Sequence, residues 1–369
     1  MTHHKKQILI VTQAIDANDP VLGFFVRWVE EFSKHADHIE VICLKKGKYD
    51  LPENVTVHSL GKENEKRQEP HAPGGARRMG RRATYALRFI SLIWKLRHNY
   101  DTVFVHMNPE YIVLGGKLWR FLGKRVALWY THKNVDWKLR IAVFLANVVF
   151  TASPESFRLK SKKVKVVGHG IDMEQFVPRE HKAQTQNAPQ TCLPLHVLTI
   201  GRISETKRIK EMLNAFDILS KRGQDFTFTI AGAPATDADV EYEKQVRNMV
   251  ANSSYASNVH FLGAVAHKDI QNILMENNIF LNLSTTGSMD KAVLEALATG
   301  MPVITTNVAF RGLLSPVPGL FITEATPEKI INALALVVTA DISEITKNVR
   351  ERYALPQLIK KILTTLNNK

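Results

Sequence analysis

The chain has 369 residues, 45% hydrophobic and 23% charged, with two cysteines and a formal net charge of +14. That length suits two cores better than one. No apolar run approaches the roughly 20 residues of a membrane span, and Cys43 and Cys192 can build neither a disulfide framework nor a metal cage. The charge is one-sided: residues 1–170 carry 29 Lys and Arg against 15 Asp and Glu, whereas residues 171–369 carry 20 of each. A basic first half calls for an anionic partner, be it membrane lipid, acidic glycan or nucleic acid; drift of composition is the plain alternative. Met1-Thr2-His3-His4-Lys5-Lys6 runs straight into a strand pattern, without the apolar stretch or cleavage site of a secretion signal. The expected location is the cytoplasm, with at most peripheral contact at the inner face of a membrane.

Short β-rich runs alternate with helical spacing throughout, the pattern of parallel, helix-flanked sheets. In the first half, strands are expected at Gln7–Thr12, Ile39–Leu44, Val55–Leu60, Thr102–Met107, Arg125–Thr131, Val148–Ala152 and Val164–Gly168. Helices are expected at Phe24–Lys34, Thr84–Arg97, Glu110–Phe121 and Asp136–Ala146. Lys62–Gly75 reads as a loop, and residues 178–194, rich in Gln, Ala, Thr and Pro, as a linker. The pattern then restarts, with strands at Leu195–Gly201, Phe226–Ala231, Val259–Leu262, Ile279–Ser284, Pro302–Thr306 and Leu320–Ile322. Its helices are expected at Ile209–Arg222, Val240–Ala251, Lys268–Glu276, Lys291–Thr299 and Pro327–Ala340. The predicted organisation is an α/β domain over residues 1–177, the linker 178–194, a second α/β domain over 195–345 and a helical tail over 346–369 that packs back on the first domain.

The chemistry concentrates in the second half. Leu198–Lys207 is a strand ending in Gly201, followed by a turn bearing Arg202 and Lys207. Open α/β sheets bind ligands beyond the carboxyl ends of their strands, and there Arg offers a planar fork and Lys a point charge to phosphate oxygens. A departing diphosphate gains negative charge that such cations stabilise; the bland reading is two solvated surface cations. Further on, Leu281–Ile304 is strand, small-residue loop, helix, Gly-x-Pro and strand. Gly287 and Ser288 allow close backbone approach, and the next helix turns free N–H groups towards an anion. Glu295 lies one turn into that helix, placed to meet ribose hydroxyls or, more simply, to pair with Lys291.

Gly201-Arg202-x4-Lys207, Ala231-Gly232, Val259-His260-Phe261-Leu262-Gly263 and Leu294-Glu295-Ala296-x3-Gly300-x-Pro302-Val303 together resemble the donor domain of family 4 glycosyltransferases. Gly170-Ile171-Asp172-x3-Phe176 resembles that family's entry to its second domain. The resemblance implies the GT-B fold, two Rossmann-like domains facing across a cleft, and sugar transfer with retention from a nucleotide-diphosphate donor to a glycan or lipid-linked acceptor, in cell-surface polysaccharide or glycolipid synthesis. By the same resemblance Arg202 and Lys207 hold the diphosphate, Glu295 the ribose, and the Gly287-Ser288-Met289-Asp290 loop lies against the donor. One position departs from the pattern: Gly287 stands where the family has the first of two glutamates, the one that touches the donor sugar. Sugar recognition then falls to Ser288 or Asp290, or activity is altered.

In the first half, His106 and His132 both follow strands. The resemblance places a histidine like His132 at the transfer centre, with His106 a second polar group near the acceptor, and Gly23 resembles the family's glycine-bearing first loop. Without G-x-G-x-x-G a nicotinamide enzyme is not expected. Asp237-Ala238-Asp239 starts a polar helix, and no metal or other cofactor is expected to be required. Residues 77–97 hold seven cations and no acid; Arg77, Arg78, Arg81, Arg82 and Trp94 mark a basic amphipathic helix suited to an anionic membrane surface, with a core-packed helix as the alternative. The rival functions are an epimerase or phosphorylase on the same fold, or a non-catalytic sugar-nucleotide-binding protein. Nucleic acid is not expected, because no recognition motif accompanies the charge.

Overall fold

A computed structural model describes residues 7–64, 75–179 and 194–367, with residues 75–79 described by their backbone alone. The chain forms two compact units, residues 1–168 with 266–268 and 355–369, and residues 169–265 with 269–354.

The first unit runs β1 (Gln7–Ile15), α1 (Phe25–Ser33), β2 (His38–Lys46), β3 (Val55–Ser59), α2 (Gly75–Lys95), β4 (Thr102–His106), α3 (Pro109–Phe121), β5 (Arg125–Trp129), α4 (Trp137–Leu145), β6 (Val148–Thr151) and β7 (Val164–Val166). Its seven strands lie in the order β3-β2-β1-β4-β5-β6-β7, and every pair is parallel. Both faces of such a sheet are covered, so the central strands are apolar almost without alternation: Ile8 to Val11 and Val103 to Val105 are all buried. Phe89 and Ile93 of α2 join Ile112 and Trp119 of α3 in one core cluster with Leu9, Val11 and Val103. On α1, Phe32 meets Phe104 of β4 at 5.1 Å between ring centres. Asp136 caps α4 by accepting the Leu139 N–H at 2.8 Å, supplying a partner to one of the otherwise unpaired first-turn donors.

The second unit runs β8 (Leu195–Ile200), α5 (Ile209–Lys221), β9 (Phe226–Ala231), α6 (Asp237–Ala251), β10 (Val259–Gly263), α7 (Ile270–Glu276), β11 (Ile279–Asn282), α8 (Lys291–Ala298), β12 (Val303–Thr305), α9 (Arg311–Leu314), α10 (Pro327–Val337) and α11 (Ser343–Arg352). Its five parallel strands lie in the order β10-β9-β8-β11-β12. In both sheets the first strand is central and the order reverses beside it, which opens a crevice at the carboxyl ends of the strands. Phe216 of α5 stacks on Phe226 and Phe228 of β9 at 4.8 and 4.6 Å. The final helix, α12 (Leu355–Asn367), belongs to the first unit, where it packs on α1 and takes a hydrogen bond from Arg125 Nη2 to the Thr365 carbonyl at 3.2 Å.

Three features differ from the sequence pattern. α2 begins at Gly75 rather than Thr84, because its first turns carry arginines and small residues that hydrophobic spacing cannot register. Leu320–Ile322 is no strand: the Ile322 N–H and the Leu320 carbonyl bond only to Thr305, as a single bridge centred on Phe321. Residues 169–177, read from the sequence with the first domain, and 178–179, read as the start of the linker, sit in the second unit. There Ile171 pairs with Ala354, Phe176 is fully buried, and Arg350 of α11 donates to the carbonyls of Phe176 at 2.6 Å, Ala298 at 3.1 Å and Met173 at 3.2 Å. Residues 180–193, most of the expected linker, lie outside the described residues.

Arg350 thus ties three carbonyls to one guanidinium. Arg350→Ala should destabilise the second unit by about 3 kcal/mol, and Arg350→Lys should recover only part of it, because a point charge cannot reproduce the guanidinium fork. Urea unfolding of the variants, followed by circular dichroism, measures both.

Candidate functional site

Where β8, β9 and β10 end, the carboxyl edge of the second sheet is stripped of side chains. β8, β9 and β10 end at or run into Gly201, Gly232 and Gly263, with φ of +139°, +153° and +69°. A Cβ on Gly232 would stand 1.8 Å from the Gly201 carbonyl oxygen, so the two backbones meet as only glycine permits. The Gly201 N–H donates to Ala231 O at 2.9 Å and the Gly232 N–H to Gly263 O at 2.7 Å. Over this edge lies Lys207, its Cε and Nζ 3.0 and 3.1 Å from the place a Cβ on Gly201 would take.

Arg202 leaves the same edge with its side chain 49% exposed, its Nε 3.7 Å from Asp239 Oδ2. Asp239 serves mainly as a helix start. It accepts the Thr236 N–H at 3.1 Å while its own N–H donates to Thr236 Oγ1 at 3.2 Å, a reciprocal capping box for α6. Asp237 and Asp239 therefore belong to a helix N-terminus, and no cluster of three or more metal-ligating side chains occurs among the described residues.

The loop after β11 closes the site from the other side. Thr285 N–H donates to Thr206 O at 3.0 Å, which sews this loop to the one bearing Lys207. Gly287 turns at φ +61°, and Asn307 Nδ2 holds the Ser288 carbonyl at 2.7 Å; Met289 packs partly against the core. Asp290 occupies the N-cap position of α8, and its Oδ2 receives Lys207 Nζ at 2.5 Å and Asn282 Nδ2 at 3.0 Å. Burial opposes its charge, yet the Lys207 charge and the two side-chain hydrogen bonds hold its carboxyl below the usual carboxylate range. Glu295, 4% exposed, accepts Lys291 Nζ at 2.6 Å one turn along α8. His169 is buried close by; burial and the Lys291 charge bring its imidazole down to about 4, so it is neutral at physiological pH.

The first unit places its candidates at the carboxyl edge of its own sheet. Gly23 closes a turn whose space admits no Cβ: one would lie 2.6 Å from the Asp19 carbonyl. Asp19 holds the turn by accepting the Val21 and Leu22 N–H groups at 3.0 and 2.9 Å and Lys45 Nζ at 2.6 Å. His106 is buried, stacked on Phe25 at 4.0 Å, with Nδ1 3.4 Å from Thr12 Oγ1. His132 is exposed after β5, edge-on to Tyr130 at 5.8 Å. On α2, Arg81 and Arg82 are exposed, Trp94 is 48% and Leu87 72% exposed, and the Arg97 guanidinium lies 4.4 Å above the Trp94 ring. The side chains of Arg77 and Arg78 lie outside the described residues.

Further apolar exposure lies on α3 and α4. Phe121 is 83%, Phe144 71% and Trp137 62% exposed, with Leu114 and Ile141 also open. The two helices are joined by Lys138–Glu110 at 2.9 Å and by Arg120 over the Phe144 ring at 6.0 Å. Beyond them, Arg125, Lys162, Lys163 and Lys165 line a hollow of about 500 Å³.

Sequence reading missed Asn282, Asn307 and His169. An asparagine closing an apolar strand, and a histidine between Gly168 and Gly170, were the signals available. The glycine edge gives a direct test. Gly232→Ala should cost at least about 2 kcal/mol, since a Cβ cannot share that space and the backbone conformation disfavours any other residue. Thermal unfolding of the variant beside Gly263→Ala, whose Cβ would meet open space, should show the larger loss for Gly232.

Residues 194–340 match the family model described as Glycosyl transferases group 1. Among curated relatives, the amylovoran biosynthesis glycosyltransferase AmsK of Erwinia amylovora is 29% identical over 153 residues, 40% of this chain and 34% of that protein. The D-inositol 3-phosphate glycosyltransferase of Corynebacterium urealyticum is 26% identical over 197 residues, 51% of this chain and 46% of that one. The chain spans less than half the length of the curated relatives it matches. In fold it is similar along nearly its whole length to Anabaena Alr3699/HepE in complex with UDP-glucose, with TM-score 0.72, 16% identity, and 98% of this chain and 100% of that one covered. It is similar also to sucrose-phosphate synthase from Thermosynechococcus elongatus, with TM-score 0.70, 14% identity and 98% of each chain covered. The fold is that of GT-B glycosyltransferases, and residues 194–340 are similar to the glycosyl transferases group 1 domain and to curated glycosyltransferases.

Proposed function

We propose that this protein is a retaining glycosyltransferase that moves a sugar from a nucleotide-diphosphate donor to a glycan or lipid-linked acceptor, in cell-surface polysaccharide or glycolipid synthesis. The observation that carries the reading is the side-chain-free edge at Gly201 and Gly232 with Arg202 and Lys207 over it, inside the matched group 1 domain. Such an edge lets a diphosphate approach backbone and two cations at once. As the bond from the sugar C1 to the diphosphate breaks, its electron pair passes to the departing phosphate oxygen. Arg202 and Lys207 stabilise that charge, the acceptor hydroxyl oxygen bonds to C1 on the same face, and its proton leaves with the diphosphate. Glu295 is the ribose contact, on condition that it exchanges part of its Lys291 pairing for sugar hydroxyls. Gly23, His106 and His132 serve the acceptor and transfer side. Gly287 offers no side chain to the donor sugar, so Ser288 and Asp290 are left to read it. No metal is required in this scheme.

The acceptor side is assigned to an anionic membrane surface. Supporting this are the charge excess of residues 1–170, the exposed Leu87 and Trp94 with Arg81 and Arg82 on α2, and the exposed aromatic rings of α3 and α4 beside Arg120. Aromatic rings with neighbouring cations suit the boundary of an anionic bilayer. No helix among the described residues is long and apolar enough to cross one, so the contact proposed is peripheral. The location proposed is the cytoplasmic face.

Incubation with labelled nucleotide sugars should release nucleoside diphosphate from at least one donor, faster when acceptor is present. Arg202→Ala and Lys207→Ala should each weaken diphosphate binding at least about tenfold, about 1.4 kcal/mol; unchanged affinity in both would overturn the donor reading. Nucleotide binding without turnover of any donor would favour a non-catalytic binding protein, the reading that Gly287 motivates. For the surface, flotation with vesicles containing phosphatidylglycerol should carry the protein and vesicles of phosphatidylcholine alone should not. Phe121→Ser with Phe144→Ser should abolish flotation while leaving nucleotide binding intact.

A further inference from the structure

Lys207 and Arg202 reach the same edge in different states. Arg202 is half exposed, and its nearest acid, Asp239, stands 3.7 Å away. Lys207 is only 16% exposed, and its ammonium is already bound to a carboxylate that is itself only 19% exposed. That carboxylate belongs to Asp290, 83 residues further along the chain. It is held from behind by Asn282 Nδ2, while Asn282 Oδ1 accepts the Ser284 N–H and the Thr305 hydroxyl, each at 3.4 Å. The bond from Thr285 N–H to Thr206 O keeps the two loops in register around the pair.

We propose that Asp290 is a built-in counter-anion of the donor site: its carboxylate takes on Lys207 the place of a donor phosphate oxygen, and donor binding exchanges one anion for the other. The inference rests on the reading of Arg202 and Lys207 as the diphosphate cations. A phosphate brought to Lys207 with Asp290 still in place would set two anions side by side in a half-buried site, where repulsion is poorly screened. The carboxylate must therefore leave Lys207, and only a ligand of sufficient charge repays the loss. A nucleoside diphosphate, with more charge and with Arg202 to hold its second phosphate, meets that demand better than a nucleoside monophosphate. Asp290 thus lowers affinity for all phosphates and sharpens the preference for diphosphates. Since this carboxyl stays ionised well below neutrality, the restraint operates unchanged from pH 6 to pH 8 or so, a window far above the ordinary carboxylate range.

The test titrates the full chain with UDP, GDP and ADP, their monophosphates, and inorganic pyrophosphate. Asp290→Asn removes the charge but keeps a side-chain oxygen for Asn282 Nδ2; Asp290→Glu keeps the charge. Asp290→Asn should bind the diphosphates and pyrophosphate about tenfold more tightly than the unaltered protein, with a smaller ratio between diphosphate and monophosphate. Asp290→Glu should stay within about twofold, and adding Lys207→Ala should erase the gain. A second readout needs no variant: carbodiimide coupling of glycine methyl ester to carboxylates, located by mass spectrometry, should label Asp290 more when a bound diphosphate is present. Binding through Lys207 with no gain in Asp290→Asn, or labelling that stays level or falls, overturns the exchange alone. Absence of binding by both the unaltered protein and Asp290→Asn overturns the donor reading and the exchange together.

Discussion

The near-contact of Gly232 with the Gly201 carbonyl is the constraint around which the second unit is arranged. It forces two strand ends together with no side chains between them, and so leaves bare backbone beside the point, between β8 and β11, where the strand order reverses. Everything polar nearby is organised about that opening. Lys207 is laid across Gly201, the loop from Ser284 to Asp290 is sewn to Thr206, and Asn282 and Asn307 fix the far side. A ligand that needs both backbone and cations, above all a diphosphate, is what such an edge can recognise.

The same site shows how strongly its charges are balanced before any ligand arrives. Lys207 is matched by Asp290 and Lys291 by Glu295, each pair partly or wholly removed from water. Partnering of this kind is what lets ionised groups remain in a protected place, because unpaired charges there would be costly. It also means that the site is not an empty cationic bowl. Binding is an exchange of partners, and affinity reflects the difference between two anions rather than the strength of one contact. The first unit lacks this balance. There Arg120 lies over the exposed Phe144 ring between α3 and α4, and residues 1–170 carry the whole excess of positive charge, which suits the broad anionic surface proposed for it.

Much of this was legible in the sequence, and the reasons for what was not are specific. The buried central strands are continuous apolar runs and could be read directly, while the less buried β3, β7 and β10 were legible from their β-branched and aromatic residues. The start of α2 could not, since Gly75–Ala83 has no apolar face, and Leu320–Ile322 looks like a strand because apolar runs in single bridges and in ladders are alike. Arg202, Lys207 and Glu295 stood out through their spacing after glycine or along a helix. The partner of Lys207 did not: a contact across 83 residues leaves no local signature. Lys291–Glu295 was readable as an i,i+4 pair, but its burial comes only from the fold. The departure at Gly287 drew attention to the loop, yet only the geometry ties Asp290 to Lys207.

The most direct test is to locate a bound nucleoside diphosphate by crystallography, using the donor nucleotide that binds most tightly. The expected result is a diphosphate beside Gly201 and Gly232, with phosphate oxygens within hydrogen-bond reach of Arg202 and Lys207 Nζ and the Asp290 carboxylate withdrawn from Lys207. A diphosphate seated elsewhere, with Lys207 and Asp290 still joined, would contradict it.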